Sequence, residues 1–198
     1  MKYQDAFEAD TFYHVFNHAV GSENLFRNDD NFHYFLKRYD HYMSKVWETY
    51  CYCLMPNHFH FLIRIKDESE LKKLPKYKGD VHKLVVQYLS NFLNSYAKSY
   101  NIRYKRKGAL FLDFTKRIAV REESYYTTLI NYIHQNPVHH GFCQNMGEWI
   151  YSSYDAFLSD KTTKIKRTEV IEWFGDKNAF KEFHRENVAA LKEELEFE

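Results

Sequence analysis

The residues of this chain best suited to chemistry lie in Leu54-Met55-Pro56-Asn57-His58-Phe59-His60-Phe61-Leu62-Ile63, where a turn feeds an apolar run carrying two histidines. Side chains of a β-strand repeat with period two, so His58 and His60 share one face while Phe59, Phe61 and Ile63 take the other. Two imidazoles on one face are half of a metal site, because neutral imidazole is among the commonest ligands for divalent cations. A His-x-His pair also arises from packing alone, so its meaning depends on a third ligand and a nucleophile elsewhere. Asn131-Tyr132-Ile133-His134-Gln135-Asn136-Pro137-Val138 offers both. Tyr132 and Asn136 are four residues apart, hence on one face of a helix, presenting a phenol and an amide oxygen together. Tyr125, Leu129, Tyr132 and Asn136 equally form a plain amphipathic stripe.

The elements that must position these residues follow from periodicity. Thr11 to Val20 is β-rich and reads as a first strand. Asn28-Asp29-Asp30 caps a helix over roughly 31–46, with Phe32, Phe35, Leu36, Tyr39 and Met43 at helical spacing. Trp47 to Leu54 and His58 to Lys66 are two more strands about the Met55-Pro56-Asn57 turn. A lysine-rich loop punctuated by Pro75 and Gly79 precedes a second amphipathic helix from His82 to about Tyr100. Leu110 to Val120 reads as the fourth strand. Glu122 and Glu123 suit the first turn of a third helix, and Pro137 predicts its stop at Asn136. Residues 138–160 look irregular, and 168–195 holds one or two further helices. The order β-α-β-β-α-β is the ferredoxin-like, or split βαβ, arrangement. The expected class is therefore α+β: an antiparallel four-stranded sheet with two helices on one face, the tyrosine-bearing helix, and a helical C-terminal extension. The expected division is a domain over residues 1–160 and the extension over 161–198.

Composition supports a packed, aromatic-rich domain. Of 198 residues 44% are hydrophobic, with 17 Tyr and 17 Phe but only 6 Gly and 3 Pro, which excludes a disordered chain. The net charge of +1 conceals an uneven distribution. Arg103, Lys105, Arg106, Lys107, Lys116, Arg117 and Arg121 crowd into about twenty residues, opposed only by Asp113, and Lys72, Lys73, Lys76 and Lys78 precede the second long helix. Such clusters are the footprint of a polyanion binder, or else a solvated face. Tyr77, Tyr104 and Phe111 are interleaved with them, as stacking on unpaired bases would require. The C-terminal end is acidic, with Glu193, Glu194, Glu196 and Glu198. Met1 to Ala6 carries no apolar signal region, and Cys51, Cys53 and Cys143 cannot all pair with one another. The expectation is a cytoplasmic, nucleoid-associated protein in a reducing compartment.

Met55-Pro56-Asn57-His58-Phe59-His60, then Tyr132-Ile133-His134-Gln135-Asn136-Pro137-Val138, then Tyr151-Ser152-Ser153-Tyr154 resemble the REP-associated tyrosine transposases. These belong to the insertion-sequence transposases of the HUH (His-hydrophobic-His) single-tyrosine class. Tyr13-His14-Val15-Phe16-Asn17-His18 with Leu25-Phe26 resembles the first strand and loop of that family, and the likeness spans about residues 11–157. The resemblance implies a DNA transposase that cleaves and rejoins single-stranded or hairpin DNA through a 5′-phosphotyrosine. It implies His58, His60 and Asn136 as ligands of Mg²⁺ or Mn²⁺, and Tyr132 as the nucleophile. The basic residues Lys72, Lys73, Lys76, Lys78, Arg103, Lys105, Arg106, Lys107, Lys116 and Arg117 would then hold the DNA backbone. The family includes both homodimers and monomers. Two departures stand out: His18 replaces a usual arginine, and Val138-His139-His140-Gly141 replaces a more basic stretch.

Two rival readings remain at this level. If the hairpin pairs Cys53 with His58 and Cys51 with His60, four ligands for a structural zinc meet on one face, although a one-residue slip disperses them. The chain could also be an inactive module that only binds a DNA hairpin.

Overall fold

Alternation of apolar residues commits four stretches of the chain to strands, and a computed structural model, which describes residues 3–186, shows how they pair. The strands are β1 (Phe12–His18), β2 (Trp47–Met55), β3 (His58–Ile65) and β4 (Lys116–Val120). They form one sheet in the order β2-β3-β1-β4, with every neighbouring pair antiparallel. This is the ferredoxin-like order expected from the succession of elements, and it places β3, with its two histidines, in the middle of the sheet.

The helices are α1 (Asp29–Met43), the single turn α2 (Glu68–Leu71), α3 (Val81–Arg103), α4 (Tyr126–His139), α5 (Tyr154–Leu158), α6 (Arg167–Phe174) and α7 (Lys177–Glu186). Asn28 caps α1 by accepting from the backbone of Asn31, and Asp80 caps α3 by accepting from Lys83. α1 and α3 cover one face of the sheet, where Phe35, Phe92 and Tyr96 meet Phe59, Phe61 and Ile63. The opposite face carries Cys51, Cys53, Met55 and Leu62, and α4 packs on it through Leu129, Ile130 and Ile133. Full burial of such aliphatic side chains contributes about 1.5–3 kcal/mol each, enough to fix the tyrosine helix over β2 and β3. Phe157, Val170 and Phe180 extend this second cluster, so α5, α6 and α7 share the core of α4. Among the described residues no helix is long and apolar enough to cross a membrane.

Two of the differences from the expected boundaries bear on the site. α4 does not stop at Asn136 but runs on to His139 with Pro137 inside it. Pro137 lies in the last turn, where its missing N–H costs one hydrogen bond, and the backbone of His140 still donates to Asn136 at 3.0 Å. The expected strand from Leu110 shrinks to Lys116–Val120. Asn17 is the cause: its Nδ2 donates to the carbonyl of Leu112 and to Thr115 Oγ1, holding the chain before β4 as a loop. Only Phe111, bridged to Ala19, retains strand pairing there. The expected end of the C-terminal helices beyond residue 186, with the acidic Glu193, Glu194, Glu196 and Glu198, lies outside the described residues.

Candidate active site

The strand register brings the histidines together. β1 pairs His18 with His58 and Phe16 with His60, and His14 lies one pair further along opposite Leu62. Directly paired residues share a face, so His14, His18, His58 and His60 all point toward α4. The rings of His18 and His58 stack at 4.4 Å, and those of His58 and His60 meet nearly at right angles at 5.2 Å. His60 and His58 are 0% and 1% exposed, so this is a buried cluster and not the surface pair a strand edge would present.

The helix completes the site. Tyr132 sets its ring edge-on to His60 at 5.9 Å and to His14 at 6.1 Å. Asn136, one turn on and buried, donates its amide N–H to the carbonyl of Tyr132 at 2.9 Å, leaving the amide oxygen as its acceptor atom. One turn further, His140 reaches the ring of His58 at 4.9 Å, because α4 continues through Pro137. The line Tyr132, Asn136, His140 thus runs along His60 and His58. The structure brings together all four residues singled out from the sequence, and adds His14, His18 and His140. Alternation with His18 and Phe16 along β1 was the available signal for His14; nothing local pointed to His140.

Ring hydrogen bonds orient the two β3 histidines. Asn57 Oδ1, which only accepts, takes the Nδ1–H of His58 at 2.8 Å. Nδ1 of His60 lies 2.9 Å from Nε2 of His14, while its own Nε2 is buried with no hydrogen-bond partner. Burial pushes the pKa of His14 down to about 3 and, helped by the neighbouring imidazoles, holds His60 well below the usual range. Neutral imidazole nitrogens with an amide oxygen fit a divalent cation such as Mg²⁺ or, better matched to nitrogen, Mn²⁺. Among the described residues no group of three or more His, Cys, Asp or Glu is arranged to hold a metal.

The zinc alternative does not survive the register. Met55 lies opposite His58, Cys53 opposite His60 and Cys51 opposite Leu62, so the four ligands never converge. Burial also keeps both thiols protonated by raising their pKa values.

Behind Tyr132, a buried chain of hydrogen bonds anchors α4. The carbonyl of Phe180 accepts from His184 Nδ1 at 2.8 Å, which leaves Nε2 of His184 to accept from His134 Nδ1 at 3.0 Å. His134 Nε2 then accepts from Ser153 Oγ at 2.9 Å. Every ring nitrogen is used and both rings are neutral. Burial pushes His184 down to about 4 and His134 well below its usual value. With an unfolded pKa near ~6.5, the unfolded chain takes up protons that the folded one refuses. Stability is therefore undiminished above about pH 6.5 and falls as pH drops below it. A ring that stays neutral at pH 5 costs about 2 kcal/mol there. The urea midpoint is expected to fall steeply from pH 7 to pH 5 and to hold from pH 7 to pH 8; equal midpoints at pH 7 and pH 5 would contradict the arrangement.

The basic candidates divide by what they touch. Arg106, with its side chain 15% exposed, bonds Glu23 at 3.0 Å and the carbonyl of Gly108 at 3.3 Å, and so staples its own loop. Arg117 bonds the carbonyl of Asp5 at 2.6 Å and lies over Phe7. Lys116 lies over Tyr3 and Phe16, and Lys76 over Tyr88. Arg103 pairs with Asp30 at 2.9 Å and Lys72 with Glu68 at 3.3 Å. Lys73, Lys78, Lys105 and Lys107 are exposed. The loop carrying Lys105 and Lys107 is tied to the histidine end of β1, since Leu112 N–H donates to the carbonyl of His18 at 2.9 Å. Of the aromatic candidates, Phe111 is buried in the core and Tyr104 bonds Asn31; the exposed ring of this loop is Phe114, at 61%.

A ferredoxin-like sheet with a His-hydrophobic-His strand at its centre, faced by a tyrosine-bearing helix, defines the class of this domain. Similarity to known proteins agrees with it. A REP-associated tyrosine transposase of Haemophilus influenzae is 25% identical over 111 residues, which is 54% of this chain and 59% of that protein. The match thus spans under two thirds of the relative. A solved structure of a REP-associated tyrosine transposase bound to a REP hairpin shares the fold, with a TM-score of 0.57 at 15% identity, covering 81% of this chain and 86% of the other. No family model matches. The resemblance read from the sequence is borne out: the chain is similar to a REP-associated tyrosine transposase in sequence and shares the fold of another.

Proposed function

We propose that this chain is a transposase that cleaves and rejoins single-stranded or hairpin DNA by transesterification, with Tyr132 as the nucleophile. The observation that carries the proposal is the ring of Tyr132 set 5.9 Å from that of His60, with Asn136 one helical turn on and His58 two residues along the strand. In the reaction Tyr132 Oη loses its proton and forms a bond to the scissile phosphorus, while the bond from phosphorus to the 3′-oxygen breaks. The 3′-oxygen departs as a hydroxyl, leaving the 5′-phosphate on tyrosine. Attack by a second 3′-hydroxyl reverses the step and joins strands, because the phosphodiester energy is kept in the adduct. His58, His60 and Asn136 would hold the cation. When bound, it supplies charge against the phosphate and offsets the poor nucleophilicity of a phenol whose ordinary pKa is near ~10. α4 fixes the phenol through Leu129, Ile130 and Ile133, so little ordering is left for the reacting state.

Hairpin DNA is the substrate class we infer, since the solved relative is described bound to one. A cleft of about 270 Å³ lies beside His14 at the β4 edge, lined by Ile118, Arg121, Tyr125 and Leu129. The test is a covalent protein–DNA adduct formed with single-stranded hairpins bearing flanking sequence, in Mg²⁺ or Mn²⁺. Binding without any adduct or nicking would instead make the chain a hairpin-recognition module.

The exposed members of the basic loop are the ones expected to touch phosphate. Neutralising Arg103, Lys105 and Lys107 together should lower the salt dependence of DNA binding, by about 0.7 to 0.9 in slope for each phosphate no longer neutralised. Sequence preference should persist, because phosphate contacts position and do not specify. Arg106 is left intact, as its removal would release Glu23 and the loop. An unchanged slope would return Lys73 and Lys78 as the better candidates.

A further inference from the structure

The turn that ends α4 places a run of rings leading out of the histidine cluster. Because the helix passes Pro137, it closes on a Schellman cap. Gly141 takes φ +72°, its N–H reaches the carbonyl of Val138 at 3.0 Å, and the N–H of Phe142 reaches that of Pro137 at 2.8 Å. Backbone bonds therefore set the direction in which His140 and Phe142 leave the helix. The ring of His140 lies 4.9 Å from that of His58, Phe142 lies 6.4 Å beyond it at a tilt of 28°, and Trp149 a further 5.6 Å on. Trp149 is fixed by its Nε1, which donates to the carbonyl of Leu54 at 2.8 Å. Phe142 is 44% exposed, a large apolar ring left facing water.

Trp149 also lines a cleft of about 560 Å³ whose walls include Phe32 and Pro56. The charge of this cleft argues against phosphate as its occupant. Arg27, the one cation among the described lining residues, is paired with Glu23 at 3.1 Å, and Asp29 adds a second carboxylate. Ser22 and Asn24 supply short polar side chains at the rim. A flat, uncharged ring with hydrogen-bonding edges suits such a lining, and a nucleobase is that kind of ring. We propose that Phe142, backed by Trp149 and this cleft, seats an unpaired base of the DNA strand that passes His58. The inference rests on reading the chain as a DNA-cleaving enzyme and names where it holds the strand. Stacking on an aromatic face tolerates any base, because every base has a π-face. The carboxylate of Asp29 favours a base whose edge presents an amino donor.

The test uses the full chain and synthetic DNA hairpins with single-stranded flanks, carrying 2-aminopurine at one flanking position at a time. Binding to the wild-type chain should quench the fluorophore at one position or at two adjacent ones. Phe142→Ala should lose that quenching, and Phe142→Tyr should keep it. Affinity for the flanked hairpin should fall about 5- to 100-fold in Phe142→Ala. An abasic site at the quenched position should cost the wild type a similar factor and leave the variant unaffected. The salt slope should not change, since no phosphate contact is lost. Unaltered affinity and quenching in Phe142→Ala overturn the proposal. So does an equal loss on a hairpin without flanks, a fall in the salt slope, or a shift in sedimentation that makes the ring a contact between copies. Failure of the wild type to bind any hairpin overturns the DNA reading and this inference with it. Quenching without a covalent adduct supports this inference and overturns only the cleavage reading.

Discussion

Replacing Tyr132 with phenylalanine is expected to leave fold and hairpin binding intact and to abolish the covalent protein–DNA adduct. The ring would keep its edge-on place against His60 and His14, since only the hydroxyl is removed. Loss of one hydroxyl hydrogen bond costs about 0.5–1.5 kcal/mol, a small change for a helix held by Leu129, Ile130 and Ile133. Loss of the attacking oxygen removes the bond-forming atom altogether, and cleavage should fall by a factor on the order of 10⁴ or more. Adduct on denaturing gels and hairpin affinity in the same preparation measure the two effects separately. Persistence of the adduct at wild-type levels would move the nucleophile to another tyrosine. Tyr126 is packed against Phe12 and Trp173, so Tyr125, which lines the cleft beside His14, would be the first to examine.

His60→Ala is expected to lose cation-dependent cleavage and also to destabilise the fold. The sequence alone suggests the second effect should be small, because a His-x-His pair on a strand face reads as a surface feature. The structure reverses that expectation: the ring of His60 is 0% exposed, stacked beside Phe16 and His14, with Tyr132 against its edge. Truncation opens a cavity and takes away the ring that His14 Nε2 faces. Large-to-small changes of this kind cost about 2–5 kcal/mol. His60→Gln fills more of the space and should recover part of the stability while remaining defective in cleavage. The readings are the urea midpoint and the rate of nicking in Mn²⁺. Normal cleavage by either variant would remove His60 from the proposed chemistry.

Local periodicity carried much of this protein. The alternation in His58-Phe59-His60-Phe61 places the two histidines on one face whatever the sheet does with them, because the pleat repeats every two residues. The spacing of Tyr132 and Asn136 is likewise a property of any helix. The order of strands and helices then leaves few ways to bury 44% hydrophobic residues, and the ferredoxin-like sheet is one of them. What the chain could not declare locally was partnership across distance. Whether Cys53 faces His58 or His60 is a matter of register, and the hairpin chose His60. That His14 would meet His60 and that Arg106 would be spent on Glu23 are equally products of pairing between distant segments. The length of α4 belongs with them. Pro137 argues locally for a stop, yet the last turn survives and carries His140 to His58, since burial against the sheet outweighs one missing hydrogen bond. The sequence alone determines which faces its residues take within each element; only packing determines what each face meets.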